Sequence, residues 1–186
     1  MSIAPTTNYM SHDFIDAWME SRTEQTYGDM RDAMDASGHR TDAEKALNDI
    51  KSDLANIKNN GGNTTTAFED KVNEAISEYS DVPGFADSLR DLSQTLGDAH
   101  VSSTNGTDDS TTVISGGGDG IQLDGSKIDG WSTSISDCVD YLGKQDQLGT
   151  INLNQLNSQI NQTENIASAI KDSRSKTAES IINRIG

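Results

Sequence analysis

The chain has little of what a deep globular core needs. Hydrophobic residues make up 32% of its 186 positions and aromatics 5%, against roughly 45–50% apolar (counting Gly) in ordinary soluble domains. A compact globule with a thick interior is therefore excluded as the leading expectation, and thin helical seams fit better. There is one cysteine, Cys138, so no intrachain disulfide can form. Basic residues are scarce, with 14 Lys and Arg against 30 Asp and Glu, a formal net charge of −16. That argues against nucleic acid and anionic membrane as partners, because phosphate binding needs clustered cations. No apolar run approaches the ~20 residues of a membrane span. Residues 1–9 lack a cationic start and an apolar stretch; they read as a disordered N-terminus rather than a Sec signal.

What is present is heptad spacing, clearest at the end of the chain. Leu156, Thr163, Ile170 and Thr177 recur every seven residues. Leu153, Ile160, Ala167, Arg174 and Ile181 form the interleaved series. Such 3-4 spacing keeps one narrow seam facing a partner helix. Residues off the seam are almost all polar, so this helix pairs along one stripe or not at all. Thr163, Arg174 and Thr177 occupy seam positions where Leu or Ile would stabilise most.

Charge is uneven along the chain. From residue 151 on, Lys171, Arg174, Lys176 and Arg184 stand against Glu164, Asp172 and Glu179, leaving +1; the first 150 residues carry −17. The final helix is thus open to attraction by the acidic first half, or its cations simply suit the helix dipole.

Towards the N-terminus, Ser11 is the expected N-cap of a helix carrying Phe14, Trp18, Met30, Ala33 and Met34. Met10, Met19, Met30 and Met34 fit either an adaptable binding stripe or, more simply, seam packing. Ser37-Gly38 is expected to end or kink this helix. Thr41-Asp-Ala-Glu44 has the form of a capping box, and Ala43, Leu47, Ile50, Leu54 and Ile57 follow as the cleanest heptad pattern in the chain. Asn59-Asn-Gly-Gly-Asn63 ends it.

A third helix is expected from about Thr64–Thr66, with Phe68, Val72, Ala75, Ile76 and Tyr79 on its apolar face. Asp81-Val-Pro-Gly84 reads as a turn. Phe85, Leu89, Leu92 and Leu96 mark a fourth helix ending at Gly97. Between 98 and 130 the composition shifts to Gly, Ser, Thr and Asp. Thr111–Ile114 favours a strand, and residues 121–128 read as a β-hairpin with Asp124-Gly125 as its turn. Helix resumes at Trp131, with Ile135, Cys138, Val139 and Leu142 on one face. Cys138 therefore reads as a buried thiol. Gly143 and Gly149 either break this helix or are absorbed by it, with a break or bend near Gly149 preferred.

The expected fold is mainly α. Long N- and C-terminal helices form an antiparallel coiled-coil hairpin around a small helical and β-hairpin insert. The expected segments are 1–9, 10–58, 64–97, 98–130 and 131–186. The assembly seam is Phe14, Trp18, Met30, Met34, Leu47, Ile50, Leu54, Leu153, Leu156, Ile160, Ile170, Ile181 and Ile185.

No catalytic constellation is visible. Asp119, Asp124 and Asp129 beside glycines invite a calcium reading, but neither a β-roll repeat nor an EF-hand is completed, and turn residues are the better reading. His12, His39 and His100 lie too far apart in sequence to mark a zinc motif. Neither a nucleophile elbow nor a P-loop occurs. The expectation is a structural protein without a cofactor or metal.

Two stretches carry a family resemblance. One is Phe14-Ile-Asp-Ala-Trp-Met-Glu-Ser-Arg22, continuing to Met30 and Met34. The other is 155–186, with Asp172-Ser-Arg-Ser175 and the apolar tail Ile181-Ile182 to Ile185-Gly186. Together with a looped, mixed middle, they resemble the hydrophilic translocators of type III secretion systems. Those are needle-tip and tip-filament proteins, of which the EspA-like subunits are closest in size. The resemblance covers about half the chain and leaves the Gly-rich middle unmatched. It implies an antiparallel helical hairpin whose copies assemble as a helical filament or a tip ring. It also implies a channel lined by the final helix, with Lys171, Arg174 and Lys176 as candidates. The implied partners are the needle subunit, pore-forming translocators and a cytosolic secretion chaperone. The implied location is the bacterial surface, reached through a type III apparatus. Because of Gly38, either 10–36 or 42–58 could pair with the last helix. The rivals are a monomeric secreted adaptor or effector and a subunit of a flagellar or phage-type filament.

Overall fold

The computed structural model describes residues 12–105 and 121–185. Four helices make up almost all of it: α1 (His12–Asn59), α2 (Thr66–Glu78), α3 (Phe85–Asn105) and α4 (Gly125–Ile185). Ser11, Met10, residues 1–9 and the strand expected at Thr111–Ile114 lie outside the described residues. The chain divides into two compact units. Ser37–Gln147 form one, here the core unit; Met1–Ala36 with Leu148–Gly186 form the other, here the terminal unit.

In the core unit, four helical segments enclose one apolar cluster. Leu47, Ile50 and Leu54 of α1, Val72 of α2, Phe85, Leu89, Leu92 and Leu96 of α3, and Ile128, Ile135 and Leu142 of α4 are its largest fully buried side chains. Polar pairs tie each neighbouring pair of segments around the outside. Lys71 Nζ donates to Asp53 at 2.6 Å, joining α2 to α1. Ser93 Oγ donates to Asn73 at 2.8 Å, joining α3 to α2. The Trp131 indole N–H donates to Asp91 at 2.7 Å, joining α4 to α3. Lys58 Nζ reaches Asp129 at 2.6 Å and closes the ring between α1 and α4. Exposed pairs of this kind add little stability; the apolar cluster holds the unit together.

The turn between α2 and α3 forms as expected. The Phe85 N–H donates to the Val82 carbonyl at 3.2 Å, with Pro83 and Gly84 between them and Gly84 at φ +82°. Pro followed by a positive-φ Gly defines a type II turn.

Several sequence expectations are corrected. The β-hairpin at 121–128 is absent. Asp124-Gly125 is not a hairpin turn but the start of α4: Asp124 Oδ1 accepts from the Ser126 N–H and hydroxyl, both at 2.7 Å. The hydroxyl bond, then the N–H bond, hold the Asp124 carboxyl below its usual range. Asp-Gly suits a type I′ turn and Asp suits an N-cap; here it is the cap, with Ile128, Trp131 and Ile135 on the helix that follows. Residues 121–123 pair instead with the α1–α2 loop, 57 or more positions away in sequence. Leu123 N–H donates to Gly62 O at 2.7 Å, and Thr64 N–H to Ile121 O at 2.8 Å, around an antiparallel bridge of Asn63 with Gln122.

The helices also run through the expected breaks. α1 passes Gly38, α3 passes Gly97, and α4 starts at Gly125 rather than Trp131 and passes Gly143 and Gly149. Thr41 is therefore mid-helix and not an N-cap; its hydroxyl donates to the Ser37 carbonyl at 3.0 Å. A helical Gly costs about 1 kcal/mol, which packing elsewhere along each helix offsets. Because α1 is continuous, the choice of pairing segment disappears. Residues 16 and 174 pair in the terminal unit, and 40 with 146 and 58 with 129 pair in the core unit. In the core unit α1 thus runs antiparallel to α4, and in the terminal unit the two helices pair as well.

Candidate assembly surface

The terminal unit is a two-helix seam built from the expected heptads on α4. Leu156, Ile160 and Thr163 are buried, and Leu153, Ala167, Ile170 and Arg174 are half-buried, while Thr177 and Ile181 are exposed. On α1 the seam differs from the expectation. Met19 and Thr26 are buried, and Ile15, Thr23, Met30 and Ala33 half-buried, whereas Phe14, Trp18 and Met34 are exposed. The reason is register. Counting back in sevens from Leu54 and Leu47 gives Arg40, Ala33, Thr26 and Met19. A continuous helix keeps the strong block's phase, so small and polar residues occupy the seam and larger apolar ones fall outside it.

Thr26 and Thr163 spend their hydroxyls on their own helices, donating to Arg22 O at 2.8 Å and Gln159 O at 2.9 Å. No bond crosses the seam from either hydroxyl. The cross-helix tie is Arg174 to Asp16, 3.1 Å from Nη1 to Oδ2. Beside it, Asp16, Met19, Ala167, Ser168, Lys171 and Arg174 line an open groove of about 510 Å³.

The expected seam residues thus part company. Leu47, Ile50 and Leu54 belong to the closed interior of the core unit. Leu156 and Ile160, with half-buried Leu153, Met30 and Ile170, hold the terminal pair together. Phe14, Trp18, Met34 and Ile181 face solvent, and Ile185 is the last residue of α4. The exposed apolar set also includes residues outside the expected seam: Tyr27, Leu148, Ile151, Ile166 and Ile182, the last 69% exposed. Tyr141 is the large exposed hydrophobic residue of the core unit among the described residues. On α1, Arg22 lies over the Trp18 ring at 5.6 Å, leaving the indole half open. Lys171 and Lys176 are exposed, whereas Arg174 is drawn into the seam.

The core unit carries a polar layer that sequence reasoning missed. Ser37 Oγ and Arg40 Nε donate to the Asp146 carboxylate at 3.2 and 2.8 Å, and Thr41 Oγ1, whose proton goes to the Ser37 carbonyl, lies 3.3 Å from it. Arg40 and Asp146 are mostly withdrawn from solvent. Glu44 lies in the same layer; burial first, and then repulsion from Asp146, push its carboxyl up, partly offset by Arg40. The missed signal was again phase, since 40 lies seven before Leu47 and 146 seven before Leu153.

No group of three or more His, Cys, Asp or Glu is placed to hold a metal among the described residues. His39 is engaged by Asp81 at 3.0 Å and packs on Tyr79 with centroids 5.3 Å apart. Cys138 is buried, and burial pushes its thiol up, so it is a poor nucleophile. No helix is long and apolar enough to cross a membrane among the described residues. Comparison of the chain with protein-family models, characterised proteins and solved structures gives no match.

Proposed function

We propose that this chain is a self-assembling structural subunit of a type III secretion needle tip or tip filament, forming part of an extracellular conduit toward a host cell. The observation that supports it best is where the exposed apolar side chains lie. The core unit closes its own interior. The terminal unit leaves Phe14, Trp18, Tyr27, Met34, Leu148, Ile151, Ile166, Ile181 and Ile182 about half exposed or more. Nine large exposed apolar side chains on this unit, against Tyr141 on the core unit among the described residues, make the terminal helices the better candidate for an interaction surface. Terminal helices that pair through a thin seam around a helical insert agree with the plan that the sequence resembles.

In this assignment copies associate through their terminal helices. Lys171 and Lys176 are the channel-facing cations, and Arg174 is a seam residue held by Asp16. The needle subunit, the pore-forming translocators and a cytosolic chaperone are the further partners, and the bacterial surface is the site of action. Negative-stain electron microscopy across a concentration series tests the idea. Hollow filaments or tip-sized rings are expected. Compact monomers at every concentration would refute it and favour a monomeric adaptor.

A further inference from the structure

The two units differ sharply in how well they are closed. Among the described residues, each of the eleven largest fully buried side chains belongs to the core unit. Among the described residues of the terminal unit the buried ones are Met19, Thr26, Leu156, Ile160 and Thr163, none below 5% exposure. Two of those five are threonines that return their hydroxyls to their own helices. The Asp16–Arg174 pair is part-exposed, and one Arg174 nitrogen, Nη2, is buried without a hydrogen-bond partner. Regions with few buried apolar contacts open at a fraction of the global free energy. A two-helix pair with so thin a seam is also too small to be stable by helix propensity.

We infer that residues 12–36 and 148–185 separate as a cooperative unit while Ser37–Gln147 stay folded, and that the opened seams pair with the opposing helices of a second copy. The occupant follows from complementarity. Residues 12–36 carry Asp13, Asp16, Glu20, Glu24, Asp29, Asp32 and Asp35 against Arg22 and Arg31, a net −5; residues 148–185 carry +1. Like segments from two copies repel or lack attraction, whereas unlike segments attract. The seam of each helix is already matched to the other in spacing, so exchange between copies reproduces the same contacts. Concentration alone then shifts the balance from opened monomer to exchanged pair. This occupant rests on the self-assembly proposed above; the opening does not.

Hydrogen exchange by mass spectrometry on the full chain tests both parts. In dilute protein, amides in 15–33 and 150–175 should exchange on the order of 100-fold faster than those around Leu47 and Leu142. Raising the concentration should slow the first set and leave the second unchanged. The variant carrying Thr26→Val and Thr163→Val keeps side-chain shape and removes both hydroxyls from the seam. It should slow dilute-state exchange in the terminal unit about 10-fold, since replacing polar groups by apolar ones of the same shape is neutral or stabilising. Terminal-unit amides as protected as core-unit amides in dilute protein would overturn the inference. So would fast exchange that ignores concentration. Filaments seen by microscopy, built from subunits whose terminal unit never opens, would sink this inference and leave the assembly proposal standing.

Discussion

Replacing Gly62 by alanine should destabilise the core unit far more than the same change one residue earlier. Both glycines have left-handed backbone, Gly61 at φ +76° and Gly62 at φ +85°. An alanine at either position therefore meets the same intrinsic penalty, about 1–2 kcal/mol. Their neighbours differ. A Cβ on Gly61 would find only the Asn63 amide nitrogen, at 3.9 Å. A Cβ on Gly62 would stand 2.3 Å from the Leu123 carbonyl oxygen. That oxygen is backbone and cannot rotate aside. Residues 121–123 would have to retreat, stretching the Leu123-to-Gly62 and Thr64-to-Ile121 hydrogen bonds. Each such bond contributes about 1 kcal/mol. Leu123, nearly fully buried, would lose part of its packing as well. Gly62→Ala should thus cost about 3–5 kcal/mol and Gly61→Ala about 1–2 kcal/mol. Urea unfolding followed by far-UV circular dichroism would measure both, with equal slopes showing that only stability changed. Equal midpoints for the two variants would refute the close approach of the 62–64 and 121–123 segments.

Asp146→Ala should cost about 1–2 kcal/mol, because it strands the Arg40 guanidinium and the Ser37 hydroxyl in a half-buried layer. The paired change Arg40→Leu with Asp146→Leu should return close to the parent midpoint, since an apolar pair needs no desolvation; chemical denaturation checks both. Glu44→Gln should raise the midpoint at neutral pH. The Glu44 carboxyl is raised above 4.5 in the folded chain. Its favourable contribution is therefore present below 4.5 and lost as pH rises through the folded value. The gain from glutamine should accordingly shrink as the pH of the unfolding series is lowered past that window. Asp124→Ala should lower the thermal midpoint by removing the acceptor for the first turn of α4, and Asp124→Asn should restore most of it. Because this carboxyl is held low, its contribution is present above 3.8 and lost as pH falls through the folded value; calorimetry at two pH values would read it.

Much of the helical plan was legible from spacing. The heptads of Leu47–Leu54 and Leu153–Ile170, the apolar faces of α2 and α3, the turn at Pro83-Gly84 and the buried Cys138 all follow from local pattern. They follow because a 3.5-residue apolar period has one low-energy solution, a helix with that stripe against a partner. The candidate surface was only half legible. Phe14, Trp18 and Met34 look like seam residues by size, yet the phase imposed by the stronger block at Leu47 and Leu54 turns them outward. Ser37, Arg40 and Asp146 look like solvent-facing residues by type, yet the same phase brings them together.

What tertiary structure alone decided lies at the glycines and at Asp124. Gly38, Gly97, Gly143 and Gly149 each lower helix propensity by an amount that packing elsewhere along the helix outweighs, and that comparison cannot be made from a local window. Asp124-Gly125 is compatible with a hairpin turn and with a helix cap. The choice went to the cap because residues 121–123 found their hydrogen bonds at Gly62 and Thr64, distant in sequence. Periodicity is local and survives in the linear chain; the partner that satisfies a backbone group, or absorbs a glycine's cost, is settled by whichever distant segment folding delivers to it.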